Sequence, residues 1–362
     1  MRTEQLRDVA HQDGPFISVY LDVSHDTEDA TTQNELRWRA AETELREQGA
    51  DQTTIDAAKQ AVLDSPAVGS AGRAIVAAHG TVLLTEELPV PPPAEVVRCS
   101  ALPYLLPLLS SVEPSVPHVV VLADKTGARV RAVDENGATA EEVTVQGQDR
   151  PVHHVGAGGS AHGSMANRAE ETLRRNAKDI AEQAVRAVAG VGAQLLVLAG
   201  TISARTAIHG ELPKHIREFS IELDIDATHT GLDDAQLRDG VARLVAQRQA
   251  EADDALLERL QIGRAHGRAC EGLGDVTTAL RAGAVDTILV TDPTLASRTV
   301  WLGEDRSQIA ISADVLREAG EQPVERRSDE AVPAAALATS AEVLVLTGAA
   351  TATDGLAALL RF

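Results

Sequence analysis

Between Pro151 and Ser164 the chain reads PVHHVGAGGSAHGS, and residue types capable of chemistry crowd together there. His153, His154 and His162 carry imidazoles, and Ser160 and Ser164 carry hydroxyls. Gly156, Gly158 and Gly159 leave the backbone N–H groups open to close approach by a phosphate or a developing oxyanion. A catalytic pair of Ser160 with His162, or of Ser164, needs a rigid site and a third orienting group. A glycine-rich loop supplies neither by itself. Three imidazoles resemble a zinc set, but no cysteine is near, and adjacent His153 and His154 point to opposite sides in an extended chain. Exposed histidines in a polar loop are favoured, and stacking of an imidazole on an unpaired base is the intermediate option. No metal is expected. GAGGSAHGS lacks the Gly-Lys-Ser/Thr that completes a phosphate-binding P-loop, so nucleotide hydrolysis is rejected.

A helix pattern follows at once and must carry this loop. Asn167 is a plausible N-cap, with Glu170 completing a capping box and Glu171 beside it at the positive helix end. Leu173, Ala177, Ile180, Ala181 and Ala184 recur at helical spacing and make one apolar face. Arg168, Arg174, Arg175 and Lys178 fall on or near the other faces. From Arg150 to Asp179 the net charge is +2, within a chain whose net charge is −21. A solvated helix face is the plain alternative to a phosphate-binding one.

The overall acidity argues against general nucleic-acid binding. Apolar residues make up 44% of the 362-residue chain, enough for real cores, and aromatics only 2%, so those cores are built from Ala, Val and Leu. Cys99 and Cys270 lie far apart, which fits a reducing cytosol rather than a disulfide framework. The polar start, MRTEQLRDVAHQDG, shows no signal peptide. No apolar run approaches the ~18 residues of a membrane span. The protein is expected to be cytoplasmic, without cofactor.

Three α/β spans are expected. Residues 1–113, net −10, open with a strand at 15–23. Helices from about Asn34 and Thr54 follow, then a hairpin over 72–88 with His79-Gly80 at its turn. Asp22, His25 and Asp26 sit at the first strand's end, where an ordinary acidic loop is the bland reading. Trp38 reads as packing. Residues 114–262 hold consecutive strands, the Gly-rich loop 151–166 and its helix, a buried strand at 194–200, a strand over 219–225 and a helix from about Asp233 to Leu260. Residues 263–362 hold a helix at 273–282, a strand at 284–290, a helix at 314–320, a strand at 341–346 and a short apolar closing segment.

Gly158-Gly159-Ser160 followed by NRAEETLRRNAKDIAEQAV resembles the Gly-Gly-Gln loop and following helix of the archaeo-eukaryotic class-one release factors, with Ser160 where glutamine would stand. GDVTTALRAGAVDTILVTD (274–292) and DGLAALLRF (354–362) are similar to the last domain of Pelota. The resemblance covers about 116–362, and it is nearest to the bacterial branch, the Balon-like ribosome-hibernation proteins of actinobacteria. It implies three α/β domains in the release-factor/Pelota arrangement, the last one ribosomal-protein-L7Ae-like.

The resemblance also implies binding in the vacant A site of the 70S ribosome, on 23S and 16S rRNA. His153, His154, Gly156, Gly158, Gly159, Ser160, His162 and Ser164 would face the peptidyl-transferase centre. Arg168, Arg174, Arg175 and Lys178 would meet rRNA phosphates, and Asp22, His25 and Asp26 the decoding centre. Elongation factor Tu is a further implied partner; membranes and DNA are not. Ser160 is shorter than glutamine and has no amide, so occupation without hydrolysis is expected, and no enzyme. A peptidyl-tRNA hydrolase of the rescue type is the runner-up. A stress-linked protein-binding scaffold, suggested by the acidity, is the third reading.

Overall fold

The computed structural model describes residues 2–27, 29–63, 69–88, 90–111, 116–124, 126–135, 137–146, 161–225, 235–291, 293–346 and 352–362; of 161–172 it describes the backbone only. The fold is α/β. Two compact units form, one from 1–112 together with 256–362 and one from 113–255.

The first segment begins with α1 (Arg2–His11), β1 (Phe16–Asp22), α2 (Ala30–Glu47) and α3 (Gln52–Leu63). It continues with β2 (Gly72–Ala78), β3 (Thr81–Leu88), β4 (Val96–Ser100) and α4 (Leu106–Ser111). The sheet order is β3-β2-β1-β4, all antiparallel. His79 and Gly80 both take positive φ, 51° and 75°, which is what a two-residue hairpin turn demands. Trp38 is 1% exposed among Ile17, Leu45 and Ile55, so it is a core residue as its sequence context suggests. Asp51 starts α3: its Oδ1 accepts from Thr54 N at 2.9 Å and Thr53 Oγ1 at 2.5 Å. Those bonds hold its pKa down to about 2, led by the Thr53 and Thr54 hydrogen bonds.

The middle unit contains β5 (His118–Ala123), β6 (Gly127–Val133), β7 (Thr139–Gln146), α5 (Ala161–Val191) and β8 (Leu195–Gly200). Then come α6 (Ile202–Glu211), α7 (Lys214–Arg217), β9 (Ser220–Glu222) and residues 235–255 of α8 (Ala235–Ala265). The order is β7-β6-β5-β8-β9, with β5, β8 and β9 parallel. β5 and β8 are buried along their whole length, because α5 and α6 cover one face and α8 the other. Gly200 ends β8 at φ +102°, and an added Cβ would lie 1.9 Å from the Ala123 carbonyl oxygen. The expected strand over 219–225 is limited to Ser220–Glu222.

The last segment holds β10 (Ala269–Glu271), α9 (Leu273–Arg281), β11 (Val285–Val290), β12 (Thr299–Leu302) and β13 (Ile309–Ala310). It closes with α10 (Ala313–Glu318), β14 (Val324–Arg327), α11 (Ser328–Ala338), β15 (Glu342–Val345) and β16 (Leu356–Leu360). One sheet runs β10-β16-β11-β15, a smaller one β13-β12-β14. The closing apolar segment is therefore a central strand. No helix among the described residues is long and apolar enough to cross a membrane.

The sequence reading keeps the first and last segments apart, but the structure packs them on a shared core. Leu102 and Leu106 join the cluster of Val276, Ile288 and Val332, and Leu337 joins Leu6, Phe16 and Leu108. A buried ion cluster ties the same two segments. Arg98 reaches Glu330 at 2.8 Å and Asp329 at 3.5 Å, and Arg327 reaches Asp329 at 2.9 Å. The Arg98 guanidinium lies 3.7 Å from the Tyr104 ring centroid. Asp329 and Glu330 occupy the first turn of α11, where the helix dipole favours carboxylates. Burial raises the Glu330 pKa, and the Arg98 hydrogen bond opposes it.

Candidate nucleic-acid interface

The candidate surface begins with α5. Ala177, Ile180, Ala181, Ala184, Ala187 and Val188 are buried against β5, β6 and α6. Small alanines let the helix lie close to the sheet, and the 3.6-residue period then turns the charged positions outward. Arg174, Arg175 and Lys178 are all exposed. Arg174 is 81% exposed and meets Glu211 of α6 at 3.1 Å, which partly neutralises its charge. Leu173 is only half-buried.

The helix begins at Ala161, six residues before the expected N-cap at Asn167. His162, Gly163 and Ser164, expected in the loop 151–166, have helical backbone. Asn167 is therefore internal. Ala161, Met165, Ala166 and Ala169 all accept helix readily, and one isolated glycine costs only about 1 kcal/mol in so long a segment. His153, His154, Gly156, Gly158, Gly159 and Ser160 lie outside the described residues. Of His162, Ser164 and Arg168 only the backbone is described.

The charge pattern extends to residues that sequence reasoning missed. Lys214, His215 and Arg217 on α7 are exposed, while Ile216 between them is buried in the same core as α5. A Lys-His-Ile-Arg run around one apolar anchor was the available signal. Arg205 is a different case: it is 5% exposed, and it bonds the Leu223 carbonyl and Asp224 Oδ1, the latter at 2.9 Å, so it ties α6 to the end of β9.

The decoding-centre candidates lie in the other unit. Asp22 is committed to structure: Oδ2 meets Arg37 at 2.8 Å and Oδ1 accepts from Ser24 N at 2.9 Å. Burial raises its pKa, but the Ser24 hydrogen bonds and Arg37 outweigh that and leave it lowered. Arg37 also reaches Glu95 at 3.3 Å. His25 and Asp26 are exposed, and His25 is held by a bridge to Gly69. The three residues are thus neighbours, with only two presented to solvent.

Neither thiol is set up as a nucleophile. Burial, then Asp275 and Glu271, pushes Cys270 up to about 11, and burial raises Cys99. Among the described residues no group of three or more His, Cys, Asp or Glu is placed to hold a metal ion.

Residues 117–266 match the family described as bacterial archaeo-eukaryotic release factor family 2. The Mycobacterium tuberculosis "Uncharacterized protein Rv2629" is 37% identical over 368 residues, covering 100% of this chain and 97% of its own length. Among solved structures, a ribosome-bound archaeal Pelota with ABCE1 is 17% identical, covering 100% of this chain and 93% of that one at a TM-score of 0.42. Saccharomyces cerevisiae Dom34, described as a translation termination-like factor, is 11% identical and covers 78% and 73% at 0.43. Both superpositions are loose. The match across the middle of the chain places this protein in a bacterial archaeo-eukaryotic release-factor-related family, to which residues 117–266 carry the likeness.

Proposed function

We propose that this protein is a cytoplasmic ribosome-hibernation factor that occupies the vacant A site and brings its middle-unit loop to the peptidyl-transferase centre without hydrolysis. One observation carries the reading: a member of a release-factor family has Gly158-Gly159-Ser160 where the resemblance calls for Gly-Gly-Gln. Glutamine offers an amide on a long stem to hold water against the peptidyl ester; serine offers one short hydroxyl. The exposed Arg174, Arg175 and Lys178 support RNA contact, since phosphates are met chiefly by Lys and Arg. On this reading the His153–Ser164 stretch faces 23S rRNA, His25 and Asp26 face the decoding centre, and elongation factor Tu can accompany the protein.

Co-sedimentation with idle 70S ribosomes tests the binding. Association at low salt that weakens as salt rises supports it; ribosomes that pellet without the protein at every salt end it. The family's release-factor description favours one second reading, a peptidyl-tRNA hydrolase in ribosome rescue. Peptidyl-tRNA turnover above background on purified ribosomes would establish that reading in place of the first.

A further inference from the structure

The face of the middle sheet turned away from α5 holds a half-open cavity of about 340 Å³ between β5, β6, the start of β7 and α8. Its walls are branched and aliphatic: Val120, Val133, Val241 and Val245 among them. The charged side chains at its edge are provided for without a ligand. Arg131 Nε meets Glu142 at 2.7 Å, beside Arg129 on the same carboxylate. Arg238, in the first turn of α8, is exposed, so water solvates it. His118 on β5 is different. It is 7% exposed, and its Nδ1–H donates to the Val116 carbonyl at 2.8 Å, because a carbonyl can only accept. Burial lowers its pKa, so the ring stays neutral and Nε2 keeps its lone pair as an acceptor. Nε2 finds no partner among the described residues, yet it is not sealed in; the space that His118 lines is this cavity.

An apolar slot with one or a few placed polar groups is the usual form of a small-molecule site. The valine walls penalise a charged ligand, which would lose its water there without compensation. The open imidazole acceptor rewards a ligand that brings one N–H or O–H. Volume sets the size: an apolar cavity of roughly 150 Å³ holds benzene, and one more than twice as large suits two fused rings. We infer that this cavity binds a neutral two-ring aromatic molecule of indole or naphthol size, with its single N–H or O–H donated to His118 Nε2. The site is independent of the ribosomal reading: it uses none of the residues assigned to RNA.

Calorimetric titration of the full chain with indole and 1-methylindole tests the inference. The two share a shape, and the methyl group removes the only donor. 2-Naphthol and its methyl ether form a second such pair. In at least one pair the donor-bearing member should bind about tenfold more tightly than its methylated partner, the difference expected when a buried acceptor is left without a hydrogen bond. Indole-3-carboxylate, which adds a negative charge, should bind no better than indole. His118→Phe keeps a ring at this position and removes the acceptor. It should lower the affinity of the donor-bearing ligand to that of its methylated partner, with the melting temperature as the check that the unit still folds. The ligand pairs in the wild-type chain decide the matter even if that variant does not fold. Failure of both donor-bearing ligands, equal binding within both pairs, tighter binding of the carboxylate, or full affinity in folded His118→Phe overturns the proposal.

Discussion

Two sets of cationic side chains in this protein stand in opposite surroundings. At the start of α11, Arg98 and Arg327 meet Asp329 and Glu330, carboxylates that are 0% and 3% exposed. On α5, Arg174, Arg175 and Lys178 stand in water. The chemistry of the groups is alike; the dielectric around them is not. In the buried set a missing partner leaves a desolvated charge with nothing to replace its water. In the exposed set water competes with any partner, so the fold gains little from pairing these cations. Sequence position hides the contrast: nothing local marks Arg98 on β4 or Arg327 at the end of β14 as destined to meet buried carboxylates, or the α5 cations as destined for water.

The comparison can be broken most directly at Arg98. Arg98→Met keeps the stem over Tyr104 but leaves Asp329 and Glu330 without their shared cation. It should destabilise the protein by about 3–5 kcal/mol, read from the denaturant midpoint. A loss under ~1 kcal/mol would mean that the cluster is no more tightly coupled than a surface pair. Gly200→Ala tests the middle unit by sterics alone. A Cβ placed 1.9 Å from the Ala123 carbonyl oxygen, at φ +102°, should cost about 3 kcal/mol. An alanine tolerated at full stability would show that β5 and β8 can move apart.

Asp51 is an exposed anion that nonetheless serves the fold, so it sharpens the contrast. Asp51→Ala should cost about 1 kcal/mol at neutral pH, as for the loss of a helix cap. Its folded pKa, about 2, lies below the ordinary carboxylate value of 3.8. The stabilisation is therefore complete above the ordinary value and is lost as pH falls from there through about 2. The gap between wild type and variant in urea melts should narrow over that window. The smallest effect on stability is expected on α5. Replacing Arg174, Arg175 and Lys178 together by alanine should change stability by no more than about 0.5 kcal/mol per site. Ribosome association should nevertheless weaken, and the slope of log affinity against log salt should flatten by about two to three. Unaltered salt dependence would remove these cations from the interface.

Much of the scaffold was legible in the sequence. The turn at His79-Gly80 needs two residues tolerant of positive φ, and the pair announces itself between two strand runs. LLVLAG reads as a buried strand because every residue is apolar. The alanine stripe of α5 has a helical period. Other elements gave no such signal. Helix α11 is buried on all sides from Ser328 to Leu337 and contains Pro333, so it has neither an amphipathic period nor the composition of a free helix. The start of α5 lies earlier than its sequence suggests because His162 and Gly163 read as loop while the alanines around them carry the helix on. The α7 cations were passed over because a four-residue helix has too little length to show a period.

What the sequence determined by itself was local: strand runs, the hairpin turn, the apolar stripe of α5, and the serine standing after Gly158-Gly159. These depend on the intrinsic preferences of a few consecutive residues. Only the tertiary structure decided which charges would be buried. It brought Arg98 to Glu330 across 232 residues, gave the first and last segments one core, and converged His118, Arg131 and Arg238 on one cavity. The energy of a charge depends on the groups that displace its water. In a folded chain those groups come from distant segments, and a local reading of sequence carries no term for them.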